Sequence, residues 1–135
     1  MKRPTLFLFL MAVLLTGFSA CEQEDSASPV IDEVVTTGTW KVHYYYDDKD
    51  ETYKFNGYNF TFGNDGKLTA TFSGQTKTGT WSVNTSSNKF IITISGTDAL
   101  DDMSDDWLIV ERKADFISLK DDNPDRKEEL HLGKN

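Results

Sequence analysis

Apolar and polar residues alternate one for one along most of the chain from Thr37 onward, and this period constrains the fold more than any other feature. Trp40, Val42, Tyr44 and Tyr46 alternate with Lys41, His43 and Tyr45. Tyr58, Phe60 and Phe62 alternate with Asn59 and Thr61, and Leu68, Ala70 and Phe72 with Lys67, Thr69 and Thr71. Trp81 and Val83 follow, then Phe90, Ile92 and Ile94. Segments at Trp107–Arg112, Phe116–Lys120 and Glu128–Leu132 complete eight candidate strands. A period of two sends successive side chains to opposite faces, so each ribbon turns one face to a core and the other to water.

The punctuation agrees. Asn64-Asp65-Gly66 is a strong hairpin signal, because these residues tolerate positive φ. Ser73-Gly74-Gln75, Ser86-Ser87-Asn88 and Asp121-Asp122-Asn123-Pro124-Asp125 read as further turns. No proline interrupts the chain between Pro29 and Pro124, where it would break a ladder. No convincing apolar repeat at 3.6 residues is evident; the stretch Thr97–Asp106 has room for a helical turn, but its charge density favours a loop. The expectation is an all-β domain over 37–135, built as an eight-stranded antiparallel up-and-down barrel, since closure removes exposed sheet edges. A two-sheet sandwich is the alternative. It needs long crossing connections, for which only Asp47–Asn56 and Thr97–Asp106 qualify.

The N-terminus has a different character. Lys2 and Arg3 precede a run of ten apolar residues, Leu6–Leu15. That is too short for a membrane span of about 20 residues but suits the core of an export signal. Leu15-Thr16-Gly17-Phe18-Ser19-Ala20-Cys21 then resembles the lipobox of bacterial lipoproteins, with Phe18 where Leu or Val is usual. The resemblance implies a signal peptide over 1–20, acylation of Cys21, and a lipid anchor in the outer membrane of a bacterial envelope, facing the periplasm or the cell surface. Cys21 is also the one cysteine of the chain, which excludes an intramolecular disulfide and a thiolate zinc site. Residues 21–36 read as an acidic tether opening with Glu22-Gln23-Glu24-Asp25. This opening is similar to surface-export signals of Bacteroidetes lipoproteins.

The order of features in residues 36–135 resembles the lipocalin-like domains of small Bacteroidetes lipoproteins. The matching elements are Gly38-Thr39-Trp40, Phe60-Thr61-Phe62 with Asn64-Asp65-Gly66, Gly79-Thr80-Trp81, Trp107-Leu108-Ile109-Val110 and Glu129-Leu130-His131-Leu132. The resemblance implies the barrel and leaves its use open.

Two functions follow. Trp40, Tyr44, Phe60, Trp81 and Trp107 would line a chamber for a small hydrophobic ligand. Alternatively, the same residues pack against one another, and the protein is an interaction or inhibitor module of the envelope with a filled core. Magnitudes weigh on this choice. A dry cavity costs about 24 cal/mol per Å³, so roughly 300 Å³ would cost about 7 kcal/mol, against a typical domain stability of about 5–15 kcal/mol.

Catalysis is not expected. Nucleophile-elbow, zincin, P-loop and dinucleotide motifs do not occur, and His43 and His131 fall on outward positions. A net charge of −8 argues against a nucleic-acid partner. No cofactor is implied. Asp98, Asp101, Asp102, Asp105 and Asp106 could offer oxygens to calcium, but their spacing misses the EF-hand pattern, so no metal site is assigned.

Overall fold

In the computed structural model, which describes residues 30–135, the alternating segments pair in sequence order around a ring. The strands are β1 Trp40–Asp47, β2 Lys49–Asp50, β3 Asn59–Phe62, β4 Lys67–Phe72, β5 Gln75–Asn84, β6 Lys89–Thr93, β7 Asp106–Lys113, β8 Phe116–Lys120 and β9 Glu128–Lys134. All neighbours are antiparallel, and β9 returns to β1 from Asp47↔Glu128 to Trp40↔Lys134. The expected eight-stranded, closed, up-and-down barrel is therefore present, while β2 is a two-residue return on the end of β1. The expected signal peptide at 1–20, Cys21 and tether residues 22–29 lie outside the described residues.

Turn chemistry sets the register. Ser73 and Gly74 take φ of 49° and 74° between the paired Phe72 and Gln75, so a two-residue turn with both φ positive joins β4 to β5. After β3, the Asp65 carboxylate accepts from Lys67 N–H at 3.0 Å and Gly66 sits at φ 81°.

Two bulges change which residues face inward. In β1, Val42 pairs with Leu132 and Tyr44 with His131, so His43 is an extra residue. The alternation therefore restarts one position late. Trp40 and Tyr45 are buried, whereas Tyr44 and Tyr46 turn outward. This corrects the expected inward Tyr44 and outward Tyr45. The His43 imidazole lies over Gly133, where a Cβ would fall on the ring. In β7, Ile109 pairs with Leu119 and Glu111 with Ser118, which leaves Val110 as the extra residue, 57% exposed. Beyond it, Arg112 lies opposite Ile117, a core residue, and so takes an inward position that unbroken alternation would give to Glu111.

Short helices cap the two ends. Helix α1, Ile31–Val35, falls in the stretch read as tether, yet it buries Ile31, Val34 and Val35 at helical spacing beneath β1. At the opposite end, helix α2, Asp98–Met103, replaces the loop expected at Thr97–Asp106. Thr97 caps it through its hydroxyl, and Ala99, Leu100 and Met103 face the core while the aspartates point to water or to a cation. A 3₁₀ turn at Thr52–Phe55 packs beside it. Lys54 ties the two together through Asp102 at 2.7 Å and Glu51 at 2.6 Å.

Gly79 marks the point where β5 leaves β4 and meets β6. A Cβ here would strike the Thr93 carbonyl oxygen and lie 2.7 Å from Ile94 Cβ and 2.9 Å from Ile94 Cα, none of which can swing away. Gly79→Ala should therefore lower stability by about 1–3 kcal/mol in chemical denaturation. The exposed neighbour variant Thr80→Ala should cost less than about 1 kcal/mol; equal effects would contradict the close approach.

Candidate functional site

The interior holds four of the five residues expected to line a chamber. Trp40, Phe60 and Trp107 are 0% exposed and Trp81 is 9% exposed. At 0% exposure no water-sized space touches a side chain, so the first three are packed on every side. Their polar atoms are also committed. Trp40 Nε1 donates to the Val35 carbonyl of α1, Trp107 Nε1 to the Met103 carbonyl of α2, and Trp81 Nε1 to the Gly63 carbonyl, each at 2.9 Å. Phe62, Trp81 and Phe90 form a triangle with ring centroids 5.5–6.0 Å apart. These residues fill the barrel rather than line a space in it. The fifth, Tyr44, lies on the other side of the wall.

Outside, the β1 bulge assembles a row that alternation alone does not show. Tyr46 and Tyr44 stack at 6.3 Å, Tyr44 meets His131 at 5.0 Å, and His131 meets the edge of Phe116 at 5.6 Å. The row crosses β1, β9 and β8 on the outer wall. Beside the two tyrosines, the loop between β8 and β9 encloses a groove of about 450 Å³, to which Lys120, Arg126, Lys127 and Glu129 bring both signs of charge. Gly133, a glycine inside a strand, was the available signal for the bulge and hence for the row.

A smaller cavity of about 180 Å³ opens at the α1 end of the barrel. Val30, Ile31, Val83 and Ile109 supply apolar walls, and Arg112, Asn88 and Thr85 the polar ones. Asn88 is occupied with the Ile109 carbonyl at 2.9 Å. Arg112 Nε is buried and has no hydrogen-bond partner.

The acidic loop does not converge as a group. Asp102 is held by Lys54, and Asp106 by Lys89 at 2.5 Å, which keeps the Asp106 carboxyl below the usual carboxylate range. Only Asp105 of the five joins a cluster, with Asp121 and Glu128, whose oxygens lie within 4.8 Å of one another. Arg126 already pairs with Glu128 there and supplies a positive charge. Burial pushes the carboxyls of both Asp105 and Glu128 up.

No family model matches the chain, and no curated protein matches it. Among solved structures it is similar to the crystal structure of a DUF4847 family protein from Bacteroides vulgatus ATCC 8482, with a TM-score of 0.61. The two are 16% identical over 78% of this chain and 98% of that chain. At that identity the likeness concerns the barrel fold.

Asp105 gives a pH test. Its folded-state pKa lies above the unfolded value, so the folded protein holds that proton more tightly. Its contribution to stability is lost as pH rises from the ordinary Asp range through the raised value. Asp105→Asn keeps the oxygen that accepts from Asp106 N–H at 2.8 Å and removes the charge. The variant should melt higher than the parent at pH 7, with the gain shrinking as pH falls through the carboxylate range. A gain that grows on acidification would contradict the assigned burial.

Proposed function

We propose that this chain is a non-catalytic, lipid-anchored protein of the bacterial envelope that binds a protein partner through the outer wall of its barrel. The observation that supports this reading is the aromatic row Tyr46–Tyr44–His131–Phe116, outward-facing on a barrel whose interior is already filled. Aromatic side chains ringed by charges make the energetic centres of protein interfaces. The mixed signs at Lys120, Arg126, Lys127 and Glu129 favour one register of docking over others. Anchoring rests on Lys2-Arg3, the apolar run Leu6–Leu15 and the lipobox-like stretch ending at Cys21. Two or more acyl chains at about 0.8 kcal/mol per buried CH₂ would hold the protein stably at the outer membrane. A lipocalin-like carrier role within the aromatic core has less support, because a ligand there would have to displace Trp40, Phe60 or Trp107. No metal or cofactor enters the proposal.

The test is recovery from detergent-solubilised envelopes after growth with labelled fatty acid. The parent chain should carry the label and bring a partner protein with it, whereas Cys21→Ser should lose the label. The double variant Tyr44→Ser/Tyr46→Ser should keep the label and lose the partner, because central aromatic anchors each contribute about 2 kcal/mol or more. Equal partner yield from the double variant would contradict the reading.

A further inference from the structure

We infer that the cavity at the α1 end of the barrel is a binding site for a small carboxylate with a short apolar tail, with Arg112 as its anion anchor. The first ground is placement. The Val110 bulge turns Arg112 rather than Glu111 inward opposite Ile117, so a guanidinium stands on the inner wall where an unbroken strand would put a carboxylate.

The second ground is what Arg112 lacks. None of the ion pairs among the described residues includes it, and its Nε is buried without a partner. Every other buried side-chain nitrogen or oxygen among the described residues has a hydrogen-bond partner. A buried donor left open is a standing cost, and on a cationic fork the fitting acceptor is a carboxylate, which takes two parallel N–H bonds.

The third ground is size and lining. The space of about 180 Å³ equals roughly six waters at about 30 Å³ each, well under the roughly 300–1,000 Å³ of drug-sized sites. Val30, Ile31, Val83 and Ile109 give the remainder of the ligand apolar contact. Val30 and Ile31 belong to the start of α1, so the helix forms part of the site as well as the cap. This site is separate from the outer-wall groove, and its failure would leave the partner-binding reading untouched.

The probe is hexanoate, with hexanamide as its uncharged counterpart, titrated into the full chain while the methyl resonances of Val30, Ile31, Val83 and Ile109 are followed by NMR. Hexanoate should move these resonances saturably, and hexanamide should bind about tenfold more weakly or worse, as loss of a charge-assisted bidentate pair requires. Arg112→Met keeps a long apolar stem and should weaken hexanoate to the level of hexanamide. Arg112→Lys, which retains the charge without the fork, should fall between the two and guards against a folding defect in the first variant. No saturable shift with hexanoate, or equal affinity for acid and amide, would overturn the proposal. So would a well-folded Arg112→Lys or Arg112→Met chain that binds hexanoate as the parent does.

Discussion

Closure of the sheet through the β1–β9 ladder is the constraint on which the rest of the molecule depends. β9 turns Leu132 and Leu130 inward, and β1 must answer with Val42 and Tyr45. These are three residues apart on β1 and two apart on β9, so one residue has to leave the ladder. His43 does so, over the space that Gly133 leaves free. A second mismatch of the same kind, between β7 and β8, ejects Val110 and brings Arg112 inside. Each bulge therefore settles two matters together: how the ring closes, and which chemistry faces in or out beyond that point.

The filled interior follows from the same geometry and from the size of the chain. Each tryptophan carries one N–H that costs about 1–3 kcal/mol if buried without an acceptor. Trp40 and Trp107 find theirs on the two capping helices, at Val35 and Met103. Caps and core are thus mutually dependent, since the helices cover the barrel ends and also satisfy the largest side chains inside. Any opening of the aromatic interior would break these bonds as well as creating a cavity. Recognition is better served by surfaces that the packing leaves unspent, namely the tyrosine row outside and the Arg112 mouth.

Much of this was legible in the sequence, and the failures have specific physical causes. Each of the eight barrel strands contains a segment that the alternation marks, although β5 begins at Gln75, well before the marked Trp81 and Val83, because its first residues, Gln75–Thr78, are exposed and carry no apolar period. Trp40 on β1 and Trp107 on β7, which precede the bulges, face inward as expected, whereas apolar residues on both faces of β7 left the side of Ile109 open until the structure showed it buried. Beyond His43 the parity is reversed, so Tyr44 and Tyr45 exchanged places, and the only hint was a glycine in a distant strand. The two helices escaped because five or six residues hold too few turns for an apolar repeat to declare itself. Helix α2 was further disguised by aspartates whose outward positions made the whole segment look solvated. Sites were less legible than fold. Arg112 gains its inward position only through a bulge, and the Asp105–Asp121–Glu128 cluster unites two segments that sequence spacing does not connect.

The outward turn of Tyr44 and Tyr46, with Tyr45 inside, is the most direct point of attack on this account. Nitration of the folded protein with tetranitromethane, mapped by mass spectrometry, reads all three residues in one peptide. The account predicts modification at Tyr44 and Tyr46 under native conditions, with Tyr45 protected until the protein is unfolded. Tyr45 reacting as readily as its neighbours, or Tyr44 protected with Tyr45 exposed, would contradict the bulge and with it the surface row and the facing of β1.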